Sequence, residues 1–179
     1  MTRNNPNGKQ VFVTVGTTKF DSLIQQVSSV AVLSTLKNQG YNKVVFQIGH
    51  GSFEPSAVSF SGLKIVFYRF KNKLADDIAN SDLVISHAGA GSCLEVLEAK
   101  KPLIVVVNEN LMGNHQVELA EKLYENGHLY YCTPKTLALT IETSDLSKLT
   151  AYESGKPERF AVFLENLLGV DKSNVFKDL

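Results

Sequence analysis

The 179-residue sequence predicts an α/β fold: one parallel sheet with helices on both faces. Three observations predict it. Short β-branched or apolar runs alternate with segments of helical spacing from end to end. The most apolar run, Pro102-Leu-Ile-Val-Val-Val107, lacks the polar alternation of a half-exposed strand and suits one covered on both faces. And in Asp82-Leu-Val-Ile-Ser-His-Ala-Gly-Ala-Gly-Ser-Cys-Leu-Glu95 a strand signal passes through glycines directly into a helical one.

Taken in order, Val11-Phe-Val-Thr-Val15 is the first strand and Gly16-Thr-Thr18 ends it. Thr18 is placed to cap a helix, with Asp21 in its first turn. Phe20, Leu23, Ile24, Val27, Val30, Ala31 and Leu33 give that helix its apolar face, and Gly40 stops it. Val44-Val-Phe-Gln-Ile48 is the second strand, ending at Gly49-His-Gly51, and the polar stretch from Ser52 to Gly62 is a loop. Leu63-Lys-Ile-Val-Phe-Tyr68 is the third strand, and Lys73 to Asn80 a short helix. Leu83 to Ile85 form the fourth strand, Ser86 to Ser92 the turn, and Leu94 and Leu97 belong to the helix that follows. The fifth strand is the Pro102 run. After a polar loop, Asn114 caps a helix through Val117, Leu119, Ala120 and Leu123. Leu129-Tyr-Tyr-Cys132 is the last strand and Pro134 to Ile141 a further helix. Pro157-Glu158 opens a final helix carrying Phe160, Phe163, Leu164, Leu167 and Leu168. No internal repeat interrupts this alternation, and residues 1–179 read as one domain.

Composition excludes several classes. Lys plus Arg and Asp plus Glu both number 18, so the formal net charge is zero, and no basic cluster offers nucleic acid a surface. A neutral chain has little electrostatic reason to stay alone, which favours a permanent partner. Cys93 and Cys132 fit neither a disulfide framework nor a metal-ligand spacing and suit a reducing compartment. The first ten residues lack the apolar core of a secretory signal. No apolar run approaches the roughly 20 residues of a membrane helix.

In a doubly wound sheet, ligands bind at the carboxyl ends of the strands. The chemistry therefore belongs to the turns, above all to Ala88-Gly89-Ala90-Gly91-Ser92. Bare backbone N–H groups at a positive helix end make a phosphate site. The residues alone leave a nucleoside diphosphate and a dinucleotide both open. Leu94 stands where a dinucleotide fingerprint wants its third glycine, yet Glu109 lies near the spacing of that fingerprint's acidic residue. Glu95 has two readings. It closes a capping box with Ser92, or, if the helix begins near Ala88 to Ala90, it faces a ligand as an acceptor for a ribose diol. His87 either donates to a phosphate or closes the strand end. Cys93 reads better as packing than as a thiolate, since no base is paired to it. Asn114, His115 and Gln116 bring several donors and acceptors to a helix start and suit sugar hydroxyls as well as a solvated cap. His50 sits in a loop at a strand's carboxyl end.

Several ordered motifs together carry a resemblance. Val11-Phe-Val-Thr-Val-Gly-Thr-Thr18, Phe46-Gln-Ile-Gly49, Asp82 to Ser92, Lys101-Pro-Leu-Ile-Val105, Leu111-Met112 and Asn114-His-Gln116 span nearly the whole chain. They resemble the small catalytic subunit of the eukaryotic UDP-N-acetylglucosamine transferase that adds the second GlcNAc to dolichol-linked GlcNAc diphosphate. That subunit is similar to the donor-binding half of bacterial muramyl-peptide GlcNAc transferases, which are inverting, metal-independent enzymes of the GT-B type. The resemblance implies a Rossmann-like, UDP-GlcNAc-binding domain needing no metal ion and no cofactor. Gly89 to Ser92 and their helix would receive the diphosphate, and Glu95 the ribose. His115 and Gln116 would meet the GlcNAc hydroxyls, Phe70 and Lys71 the uracil, and Gly16, Thr17 and Thr18 would face the phosphates across the cleft. His87 is a weak candidate for the general base. The resemblance further implies a heterodimer with a membrane-anchored, acceptor-binding subunit at the cytosolic face of the endoplasmic reticulum. Residues 156–179, with the Phe160 to Leu168 stripe, would dock on that partner.

Overall fold

A computed structural model describes residues 8–57, 59–108 and 115–153, the side chains of His115 and Gln116 excepted. Expectations that fall on Glu109, Asn114 and the helix from Pro157 lie outside the described residues. Six strands form the sheet: β1 (Lys9–Thr14), β2 (Tyr41–Gln47), β3 (Lys64–Tyr68), β4 (Leu83–His87), β5 (Leu103–Val106) and β6 (Tyr130–Cys132). All are parallel, in the order β3-β2-β1-β4-β5-β6. The order reverses between β1 and β4, and a crevice opens at that switch, outside the strands' carboxyl ends.

The two faces sort by parity, as alternating Cβ directions require. Val11, Val13, Val44, Phe46, Ile85, Ile104 and Val106 pack under α1 (Asp21–Val27), α2 (Val30–Asn38) and α6 (Leu137–Thr143). Phe12, Val45, Val84, Leu103 and Val105 pack under α3 (Ala75–Ala79), α4 (Ala90–Glu98) and α5 (His115–Glu125). Every residue of β5 is buried, as its unbroken apolar run predicts. No helix of the described residues is long and apolar enough to cross a membrane.

The structure corrects three expectations. The helical spacing from Phe20 onward is two helices, because Ser29 caps α2 with its hydroxyl, which accepts from the Val32 N–H at 3.3 Å. Thr18 is not a cap: its hydroxyl donates to the Val15 carbonyl at 2.8 Å, and α1 begins at Asp21 without a side-chain cap. The turn after β4 is shorter than Ser86 to Ser92. The strand runs through His87 and the helix begins at Ala90.

Candidate functional site

The β1 and β4 turns meet at the switch point. Gly16 has φ +60° and its N–H donates to the Thr14 hydroxyl at 3.0 Å, which turns the chain out of β1. Gly49, after β2, has φ +53°, and a Cβ there would stand 2.4 Å from the Thr18 carbonyl oxygen and 2.9 Å from that of Gly16. Only glycine lets the two loops close on each other. His50 extends this contact by donating its N–H to the Thr18 carbonyl at 3.1 Å.

Helix α4 starts against this wall. Its N-cap is Gly89, with no side-chain cap, and the Gly89 N–H is taken by the His87 carbonyl at 2.8 Å. The first bond of the helix runs from Cys93 N–H to the Gly89 carbonyl at 3.0 Å. The N–H groups of Ala90, Gly91 and Ser92 thus have no partner within the helix, and the dipole places partial positive charge there. A Cβ on Gly91 would meet nothing within 4 Å, so that position is open.

A cleft of about 700 Å³ lies over these groups. Of the residues singled out from sequence, Gly16, Thr17, Thr18, Lys71, His87, Gly89, Gly91, Ser92 and Glu95 line it. Ala88, Ala90 and Phe70 do not: Ala88 is buried, and the half-exposed Phe70 ring tilts against His50 with centroids 4.8 Å apart. Asn114 and the side chains of His115 and Gln116 are outside the described residues, although α5 does begin at His115. Sequence reasoning missed Gln47, Asn72, Lys73, Leu74 and Ala75. The available signal was position, since all follow or end strands at the carboxyl side of the sheet.

Glu95 is exposed and lines the cleft. Gly89 is the N-cap, so Ser92 sits in the helix and cannot form a capping box with Glu95. The carboxylate is left to face the cleft. The His87 ring lies between the two glycine turns: a Cβ on Gly89 would stand 2.4 Å from its Nε2, and one on Gly16 would stand 2.9 Å from its Cε1. Burial lowers the His87 pKa, against an opposing effect of the Thr14 backbone, so the imidazole is neutral near pH 7. Its buried Nδ1 has no hydrogen-bond partner. Cys93 is buried and its thiol is pushed up to about 12, which suits packing and not nucleophilic chemistry. Across the cleft, Lys71 Nζ contacts Asp77 Oδ2 at 2.8 Å, and the Tyr68 hydroxyl donates to the same oxygen at 2.7 Å. Burial first, then that bond to Asp77, raises the Tyr68 pKa.

A six-stranded parallel sheet in this order, with an uncapped helix end and an exposed carboxylate on the cleft at its switch point, defines a doubly wound α/β domain. Residues 10–167 match the glycosyltransferase family 28 C-terminal domain, and the chain belongs to that family. Its relatives include the UDP-N-acetylglucosamine transferase subunit ALG13 of Homo sapiens, 54% identical over 72% of this chain and 11% of that protein. The Saccharomyces cerevisiae subunit of the same name is 41% identical over 65% of this chain and 55% of its own length. The Kluyveromyces lactis subunit is 30% identical over 88% of this chain and 96% of its own length. The chain thus spans a small part of the human relative and nearly all of the Kluyveromyces one. An NMR solution structure of ALG13 superposes with a TM-score of 0.68 at 29% identity, covering 87% of this chain and 94% of that one. Acinetobacter baumannii MurG shares the fold at a TM-score of 0.66 and 19% identity, over 89% of this chain and 49% of that one. The domain has the architecture of one half of a GT-B glycosyltransferase.

Proposed function

We propose that this chain is the donor-binding catalytic subunit of a glycosyltransferase that moves GlcNAc from UDP-GlcNAc to dolichol-linked GlcNAc diphosphate. The observation that carries the reading is the open N-terminus of α4 beside Gly16, with Glu95 on the same cleft. The names of the relatives, UDP-N-acetylglucosamine transferase subunits, support the donor. In this reading the N–H groups of Ala90, Gly91 and Ser92 hold the diphosphate. Glu95 accepts from the ribose hydroxyls, the Phe70-Lys71 segment flanks the uracil, and His115 and Gln116 meet the sugar. The acceptor 4-hydroxyl attacks the anomeric carbon with inversion. The bond to the diphosphate breaks, and negative charge gathers on UDP. Fixed N–H dipoles stabilise that charge without reorganising.

A general base must take the hydroxyl proton. His87 is neutral and so able to accept one, but burial makes it a weak base. The stronger base then belongs to an acceptor-binding, membrane-anchored partner subunit. Residues 1–179 act as one domain, with 156–179 as the docking segment, at the cytosolic face of the endoplasmic reticulum. No nucleic acid takes part.

Two measurements test this. Calorimetric titration with UDP-GlcNAc, UDP and NADH should give binding of the first two alone. NADH binding without UDP binding would overturn the reading in favour of a dinucleotide module. GlcNAc transfer to a phytanyl-diphosphate GlcNAc acceptor should require the partner subunit, and truncation before Phe160 should abolish co-purification with it.

A further inference from the structure

The sheet face that carries α3, α4 and α5 is apolar until its carboxyl edge, where it turns polar. Tyr68 pairs in register with Gln47, Gln47 with Thr14, and Thr14 with Ser86. Neighbours in register point to the same side. These four side chains therefore form a row across β3-β2-β1-β4, beneath the cleft. Within that row Gln47 is only 3% exposed and yet lines the cleft.

Its hydrogen bonds run in one direction. The Gly16 N–H donates to the Thr14 hydroxyl at 3.0 Å, and that hydroxyl donates to Gln47 Oε1 at 2.5 Å. The buried Thr14 proton needs an acceptor, so the amide oxygen faces Thr14 and the NH2 group is left over. Among the described residues, no acceptor takes a hydrogen bond from Gln47 Nε2. The Gln47 side chain is buried except where it lines the cleft, so its spare donor is open to that side alone. An acceptor-rich ligand in the cleft would pair with it.

We infer that Gln47 is a ligand-contacting residue whose Nε2 donates to a phosphate oxygen of the bound nucleoside diphosphate, and that Thr14 is the positioning residue that aims it. This rests on the donor-binding reading above. Thr14 does two things at once: it orients the Gln47 amide and fixes the Gly16 turn. The strand ends then contribute a donor from the floor of the cleft, while α4 contributes its own from the wall.

Isothermal titration of the chain with UDP and with uridine tests the inference, with thermal melting of each variant alongside. Gln47→Met removes the donor at similar size and should weaken UDP binding roughly 10- to 100-fold while leaving uridine affinity unchanged. Gln47→Glu keeps an acceptor for Thr14 but sets a carboxylate against the phosphate, and should weaken UDP binding further. Thr14→Val should weaken UDP several-fold, and Thr14→Ser should restore it. Unchanged UDP affinity in a folded Gln47→Met or Gln47→Glu variant overturns the inference. Equal loss of UDP and uridine binding overturns the phosphate assignment in favour of the ribose or base. A wild-type chain that ignores UDP overturns the donor-binding reading itself, a result distinct from a variant effect.

Discussion

Gly91→Ala should raise stability and lower nucleotide affinity together. Gly91 is the second residue of α4, and an added Cβ meets no heavy atom within 4 Å, so the folded chain accepts it without rearrangement. Its φ lies outside the left-handed region, so no backbone strain opposes the change. Replacing glycine there restricts the unfolded chain and stabilises by about 0.4–1 kcal/mol. For a chain of this size that is a rise of roughly 1–4 °C in Tm. The methyl group, however, projects from the cleft lining, beside the unpaired N–H groups at the helix start. Keeping a phosphate oxygen off one of them forfeits a charge-assisted hydrogen bond, about 1.5–3 kcal/mol. That is roughly 10- to 150-fold in Kd. Calorimetric titration with UDP and a thermal melt of the same sample read both effects. A raised Tm with unchanged affinity would refute phosphate binding at this helix end. A lowered Tm would refute the open space beside Gly91.

Three further outcomes are expected. Glu95→Ala should leave the melting temperature near wild type, since surface changes of this kind stay within about 0.5 kcal/mol, and should weaken UDP-GlcNAc binding; a fall in Tm with intact affinity would restore the capping role. His87→Gln should flatten the acid side of the stability profile. The folded His87 pKa lies below 6.5, so the unfolded chain binds more protons and the native protein loses stability as pH falls below about 6.5; an unaltered profile of Tm against pH counts against this. Asp21→Ala should destabilise by about 1–3 kcal/mol in denaturant unfolding, because Asp21 accepts from the Ser52 N–H (2.8 Å), the Ser52 hydroxyl (2.7 Å) and the Phe53 N–H (3.1 Å). Burial raises the Asp21 pKa, but these bonds and Lys19 outweigh it and lower it below 3.8, so the wild-type contribution fades as pH falls through that lowered value.

The strand and helix order was readable because the two periodicities are distinct. The apolar run in β5 and the stripe in α4 each admit one solution. What escaped the reading depended on tertiary placement. Ser28-Ser29 looks like an interruption on a polar face, and only the side-chain bond to Val32 shows it is a helix start. Glu95 was readable only as two alternatives, and the choice rested on where the helix begins, which the structure puts at Ala90. Gln47 reads as one polar residue in an apolar strand; its meaning lies in the register with Thr14 on β1, two helices earlier in the chain. Lys73 to Asn80 read as a short helix, and only the folded chain places its start, with Asn72, on the cleft.

The bond between Asp77 and Lys71 bears on how the cleft tells ligands apart. Among the described residues its ionic lining is Lys71, Lys73 and Glu95, and Asp77 already satisfies Lys71. The formal charges at the rim therefore cancel. In the donor-binding reading, attraction for a diphosphate comes from short-range, directional N–H groups, which salt screens far less than long-range charge. Such a cleft discriminates by fit. Bare pyrophosphate gains little from it, and the nucleoside must bring the diphosphate into register. Affinity is then expected to vary little with ionic strength, and the abundant free phosphates of a cell to compete poorly.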